Sequence, residues 1–357
     1  MSRISQIKSR LELQMIYDRL YTTRSRKPLL KSLILLSDRS PEDLHRLVSV
    51  RKKLRKNYTV EVEPLGNDLY HVDIEKHIWG KPANVGALID AETRGCWIAY
   101  TDESGYFVRR ILQPFIRGLY PYVARVYFNY AQIQTFLEAI NKLYQGSSVV
   151  THLAYKHQSR TGKGKPKGTR LLWEPEAEKD LNQIAQRDRT WIDNLTFEVK
   201  DREDTIALEA SLTGTGTARL KFGTFSDFRR NVIDLYISLA TEWRDFFSNR
   251  ERRVEEGRVR LSPYYLQYGF DFEKPQFDEL IADLKGAYSH SILVSGNPYF
   301  AANLTDYQDG SSFYLTILGG RVTITPMLRA TSYALWQISA RVQGVLGDGD
   351  IVDMPRQ

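Results

Sequence analysis

Residues 197–222 read FEVKDREDTIALEASLTGTGTARLKF, and the order of patterns in this stretch decides the fold class. Phe197 to Val199 alternates apolar and charged side chains, Asp201-Arg202-Glu203-Asp204 reads as a turn, and Ile206 to Leu212 resumes an apolar strand pattern. Gly214-Thr215-Gly216 turns the chain again, and Ala218 to Phe222 closes the set. A period of two broken by Asp-rich and Gly-rich turns predicts consecutive antiparallel strands. From Phe225 to about Phe247 the period lengthens to that of a helix. Strands that double back and then hand over to a helix predict an α+β fold in which helices cover antiparallel sheets.

The same order returns 105 residues later. Phe300 to Leu304, the turn Asp306-Tyr307-Gln308-Asp309-Gly310, Phe313 to Leu318, Gly319-Gly320 and Val322 to Thr325 precede a helical stretch from about Leu328 to Val345. A looser version runs from residue 58 to 144, so repeated strand-strand-strand-helix units are expected. There, Tyr58 to Glu63, Leu69 to Ile78, Cys96 to Tyr100 and Tyr106 to Val108 read as strands. Arg109 to Tyr144 reads as helix, interrupted at Pro114 and Pro121.

The N-terminal region reads as two helices ahead of the sheets. Ile4, Ile7, Leu11 and Met15 recur at helical spacing, and Ser40-Pro41-Glu42-Asp43 supplies an N-cap serine, a first-turn proline and first-turn acids. Val149 to Tyr155 and Leu171 to Trp173 read as short strands flanking a loop. The pattern divides the chain into a basic helical and α+β domain over 1–150, a basic loop and connecting helix over 151–190, and an α+β domain over 191–357.

Composition excludes whole classes. Of the 357 residues, 42% are hydrophobic and 26% charged, which is globular composition and not that of a disordered or fibrous chain. The longest apolar runs, such as Leu33-Ile34-Leu35-Leu36, fall far short of the roughly 20 residues that span a bilayer, so no membrane partner is expected. The single cysteine, Cys96, forbids an intrachain disulfide and no apolar leader opens the sequence, which together predict a cytoplasmic protein.

Charge is the most informative feature. The net +7 is distributed as +10 over residues 1–60, −6 over 61–103, +10 over 104–173 and −7 over 174–357. Such segregation predicts a polyanion-facing surface on one part and protein contacts on the other. Three groups of cations are candidate phosphate ligands. The first is Arg51, Lys52, Lys53, Arg55 and Lys56 at a helix end, where the macrodipole alone would also accommodate them. The second is Arg109, Arg110, Arg117 and Arg125, interleaved with Phe107, Phe115, Tyr120, Tyr122, Tyr127, Phe128 and Tyr130. Those aromatics are expected mainly in the core, with the arginines left as ligands. The third is the loop carrying Lys156, Arg160, Lys163, Lys165, Lys167 and Arg170, whose composition predicts exposure and a clamp on a phosphate backbone. This loop and the tail Gly347-Asp348-Gly349-Asp350 are the expected sites of proteolysis.

Catalytic patterns are thin. The loop lacks Walker A spacing, because Lys167-Gly168-Thr169 has the wrong order and Pro175 follows. His71, Asp73, Glu75 and His77 share one strand face, but neighbours on that face stand about 7 Å apart, too far for one metal ion to gather all four. Asp193, Glu198 and Lys200 form the weak acid-acid-lysine pattern of a metal-dependent nuclease. Cys96, between Gly95 and Trp97, is expected in the core. The leading expectation is a non-catalytic, backbone-directed nucleic-acid-binding protein, acting within a larger protein complex and needing no cofactor or metal. A metal-dependent nuclease and a subunit that binds an acidic protein partner are the alternatives.

Overall fold

The computed structural model describes residues 3–21, 30–78, 81–144, 148–157, 170–173, 177, 181, 190–201, 203, 205–251, 253–255, 258–296 and 299–353. The fold is α+β, with antiparallel sheets and covering helices. The chain forms two compact units: 1–128 with 134–152 and 194–241, and 129–133 with 153–193 and 242–357. The boundaries expected near 150 and 191 fall inside the strands Ser148–His157 and Thr190–Lys200, because local composition does not register which strands pair across the sequence.

Up to residue 222 the strands are β1 (Lys31–Leu36), β2 (Tyr58–Gly66), β3 (Leu69–Ile78), β4 (Lys81–Asp90), β5 (Cys96–Thr101), β6 (Ala124–Arg125), β7 (Ser148–His157), β8 (Arg170–Trp173), β9 (Thr190–Lys200), β10 (Ile206–Thr213) and β11 (Thr217–Phe222). In the first unit they run in the order β2-β3-β4-β5-β1-β11-β10-β9, with β6 also on β1. The sheet is built around β1, whose neighbouring elements in sequence are helices. Its six residues KSLILL are all buried, pairing Leu33 with Ala99 of β5 and Thr217 of β11. A strand covered on both faces shows a continuous apolar run with no alternation. That is why Leu33 to Leu36 carries no strand signal in the sequence. β4 was also unanticipated, since Pro82 and Gly86 interrupt its pattern.

One face of this sheet presents Leu33, Leu35, Val60, Tyr70, Val72, Ile74, Val85, Ile89, Trp97 and Ala99. It is covered by the helices Leu44–Val50 and Lys52–Asn57 and by a helical run over 105–119. The expected strand at Tyr106 to Val108 is thus helix. Ser104 caps it by accepting from Phe107 N, a local signal that outweighs the β propensity of Tyr-Phe-Val. The expected break at Pro114 does not occur either. Proline has no N–H for the Arg110 carbonyl, and Lys76 Nζ donates to that carbonyl instead at 3.1 Å, just beyond a π segment over Val108–Leu112. The reading of 40–56 as one helix is corrected to two, divided at Arg51, whose backbone is extended.

The opposite face of this sheet packs against the helix Arg10–Tyr21 and against a helical run that starts at Phe225 and carries its own π segment, Phe228–Ile233. Tyr17 stacks with Tyr21 at 6.3 Å, and Phe225 meets Tyr100 edge-on at 5.7 Å. Arg10 reaches Asp90, itself buried, through Nη2 to Oδ1 at 2.7 Å and Nε to Oδ2 at 3.2 Å. In the Gly214-Thr215-Gly216 turn, Gly216 has φ of +75°, its carbonyl accepts from Ile34 N, and a Cβ there would collide with the Val126 side chain. Gly216→Ala is therefore expected to lower unfolding free energy by about 3 kcal/mol, combining the left-handed penalty with overpacking. Urea unfolding of the variant measures it, and a change below about 1 kcal/mol would contradict this account of the turn.

In the second unit the remaining strands are β12 (Arg253–Glu255), β13 (Arg258–Arg260), β14 (Tyr264–Gln267), β15 (Tyr288–Ser295), β16 (Tyr299–Asp306), β17 (Ser312–Leu318), β18 (Arg321–Pro326) and β19 (Asp350–Asp353). They include a sheet of order β15-β16-β17-β18-β14-β19. Phe313, Leu315, Ile317, Val322 and Ile324 alternate inward from it, and the helices Lys274–Leu284 and Ser332–Leu346 bring Phe277, Leu280, Leu335 and Ile338 into the same buried set. The expected strand-strand-strand-helix order is present in both places, as β9-β10-β11 before the helical run from Phe225 and as β16-β17-β18 before Ser332–Leu346.

The tail Gly347 to Asp350 is corrected from an exposed end to an anchored one. Gly349 N donates to Gln343 Oε1, its carbonyl accepts from Asn129 Nδ2 at 3.0 Å, and β19 pairs with β14. Gly349 lies so close to the Tyr268 ring that a Cβ would stand 2.7 Å from it. No helix among the described residues is long and apolar enough to cross a membrane.

Candidate nucleic-acid interface

The helical layer over residues 44–57 and 105–119 turns its apolar side to the sheet, and what remains on its outer side is basic. In Lys52–Asn57 only Leu54 is buried, packed against Gly118, where the absence of a side chain lets the two helices approach closely. Lys52, Lys53, Arg55 and Lys56 are consequently exposed. Arg51 is half-buried with its guanidinium 5.3 Å from the Tyr122 ring centre, and Arg39 approaches the same ring at 5.7 Å. Lys76 lies 5.2 Å from the Tyr58 ring.

In the crossing helix, Arg109, Arg110 and Arg117 are exposed, while Val108, Ile111, Leu112, Phe115, Ile116 and Leu119 are buried. Arg110 lies 5.9 Å from the ring of Tyr106, which is 43% exposed. The side chains so divided explain the aromatic-arginine alternation of the sequence: Phe115, Tyr120 and Phe128 are core, and the arginines face out. Arg125 is half-buried on β6 and donates from Nη2 to Thr215 O at 3.1 Å. Burial, and next the charge of Arg117, press its guanidinium down to about 10, which still leaves it cationic at neutral pH.

Among the described residues, Arg51, Lys52, Lys53, Arg55, Lys56, Arg109, Arg110, Arg117 and Arg125 make no ion pair. Elsewhere in the same unit cations do find acids, as Arg10 does with Asp90 and Lys221 with Glu209 at 3.4 Å. The helical layer therefore carries a group of cations that no acid among the described residues neutralises. No protein-family model matches this chain, and no curated protein matches it in sequence. The chemistry of the surface is therefore what speaks to function.

Of the loop set, Arg160, Lys163, Lys165 and Lys167 lie outside the described residues, as do the side chains of Lys156 and Arg170, whose backbones belong to β7 and β8. The nuclease pattern is not assembled by the first unit. Glu198 and Lys200 lie half-buried in the part of β9 that belongs to it, both engaged by neighbours, whereas Asp193 falls in the part that belongs to the second unit. Asp201 accepts from Glu203 N at 2.9 Å and Thr205 N at 3.0 Å, so it builds the turn; the Thr205 hydroxyl, which it also accepts, and these amides hold its carboxyl below the usual range.

His71, Asp73 and Glu75 do share a face of β3. His71, however, is buried, with Nδ1 3.5 Å from Asp73 Oδ2, and not part of a solvated surface. No group of three or more metal-ligating side chains occurs among the described residues. Cys96 is buried, as its apolar setting implied. A cavity of about 310 Å³ opens beside Asp38, Arg39, Asp68, Arg94 and Trp97, with acids and arginines balanced on its rim.

Two cations escaped the sequence reading. Lys31 opens the apolar strand β1 and is buried, with Nζ donating to Glu103 O at 2.5 Å. Arg219 stands directly opposite it on β11. A charge leading an otherwise wholly buried strand is the signal that could have found Lys31; Arg219, in an alternating strand, carries none.

Proposed function

We propose that this protein binds nucleic acid without cleaving it, holding the phosphate backbone on the basic helical layer of its first unit. The reading rests on one observation: the cations of that layer have no acidic partners among the described residues, so their charge is available to a polyanion. Exposed like charges on one face repel each other, and counterion release on binding phosphate relieves that repulsion. Tyr106 and Tyr122, each flanked by arginine, add faces on which an unpaired base can stack. No base-reading motif accompanies them, which suits contacts that position a backbone instead of specifying a sequence. The acidic remainder of the chain then serves contacts with protein partners.

Fluorescence anisotropy with unrelated single-stranded and duplex DNA and RNA oligonucleotides tests this. Binding is expected to weaken steeply with salt, by about 0.7 to 0.9 in the log-log slope for each phosphate neutralised, and Mg²⁺ is expected to yield no cleavage product. Absence of binding to every oligonucleotide at 50 mM salt, or a slope near zero, overturns the reading.

A further inference from the structure

Two helices of the first unit are built alike and differ in one decisive position. One begins after the cap Ser104, the other after the cap Thr224, and each cap accepts from the backbone N–H three residues on. Each then passes through a π segment, Val108–Leu112 in the first and Phe228–Ile233 in the second. Each carries two arginines at the same place in that segment, Arg109-Arg110 and Arg229-Arg230. A π turn aligns residues five apart, and in the second helix Arg229 uses this spacing to pair with Asp234. The corresponding residue of the first helix is Pro114, which has no charge to offer.

Arg109 instead donates Nε to Gly105 O at 3.0 Å, which leaves its terminal nitrogens for something else. Lys31, which stands opposite Arg219 of β11, donates Nζ to Glu103 O two residues before that Gly105; burial first, and then the charge of Arg109, holds Arg219 below the ordinary guanidinium range. Arg219 Nε is buried without a hydrogen-bond partner, and no ion pair of Arg219 occurs among the described residues. Directly opposite Arg219 across the β1–β11 pairing stands the buried Lys31. Like charges placed opposite each other on antiparallel strands destabilise a sheet. The nearby acids are Asp102, which accepts from Arg3 N at 2.9 Å, and Glu103, whose carboxyl burial and Asp102 push upward; both act on Lys31, whose ammonium is held below its usual range by burial and next by Arg219. Arg109 and Arg219, neither of which pairs with an acid among the described residues, therefore leave positive charge that an anion would offset.

We propose that Arg109 and Arg219, backed by Lys31, form a discrete site for a phosphomonoester dianion, the terminal phosphate of a nucleic-acid strand, distinct from the diffuse backbone contacts of the outer helices. A terminal phosphate carries roughly −1.5 to −2 charge at neutral pH against −1 for an internal phosphodiester, and two guanidiniums match it with directed, charge-assisted hydrogen bonds. Tyr106, exposed beside Arg110, supplies a stacking surface for the end nucleoside. This assignment rests on the nucleic-acid reading for the source of the phosphate, but the site itself is testable without it.

The experiment compares one oligonucleotide sequence with and without a phosphate at its 5′ or 3′ end, and inorganic phosphate alone by thermal shift, on wild type, Arg109→Gln and Arg219→Gln. The expected result is about tenfold tighter binding of a phosphorylated strand, with the ratio falling to about one in either variant. A ratio near one in the wild type, or a ratio that survives both substitutions, overturns the site while leaving backbone binding in place. If neither strand binds, the backbone reading fails. The site then stands, as one for a free phosphoryl group, only if inorganic phosphate stabilises wild type and not Arg219→Gln; without that shift it fails too. Arg109 lies on the exposed side of its helix, so its variant folds even if the half-buried Arg219 position tolerates glutamine poorly.

Discussion

Replacing Arg51, Lys52, Lys53, Arg55 and Lys56 together with glutamine is expected to weaken nucleic-acid binding by on the order of a hundredfold at 0.1 M salt and to flatten the salt slope by about 3 to 4. These cations serve no acid within the described residues, and all but the half-buried Arg51, which lies against Tyr122, stand in solvent, so their loss removes charge with little loss of packing. Leu54, which ties their helix to Gly118, is untouched, and glutamine keeps most of the helix propensity of lysine and arginine. Unfolding should shift by no more than about 0.5 kcal/mol, which separates lost binding from lost structure. Anisotropy titrations at several salt concentrations, with the slope compared to that of wild type, measure the effect. An unchanged slope would assign the helix end to its macrodipole alone.

The second large effect concerns the pair that ties the helix Arg10–Tyr21 to the sheet. Arg10→Met is expected to cost about 3 kcal/mol of unfolding free energy, because it leaves the Asp90 carboxylate buried without its guanidinium. Among the described residues, Asp90 then keeps only the backbone N–H of Glu92, at 3.1 Å. The combined change Arg10→Met with Asp90→Leu should recover much of that loss, since an apolar pair needs no compensation for burial of charge. Urea unfolding of both single variants and the double gives the coupling energy directly. A single-variant loss below 1 kcal/mol would show that the pair is solvated and contributes as a surface ion pair does.

The amino-acid sequence by itself determined the local patterns: antiparallel strands at 197–222 and 300–325, helices after them, the cap at Ser40, and a core in which Phe115, Tyr120 and Phe128 are buried. Each of these follows from side chains a few residues apart, where periodicity and capping act. It also determined that the cations of 51–56 and 109–125 are not core. Tertiary structure alone decided that β1 is central, since a strand buried on both faces has no alternation to detect. It decided that Pro114 sits within a helix, because Lys76, from the strand β3, takes the carbonyl that proline cannot serve. It anchored the glycine-rich tail through Asn129 and Gln343, more than 200 residues away in the first case. Above all it placed Lys31 opposite Arg219. These two residues are far apart in sequence and share no pattern, so only strand register could bring their charges together.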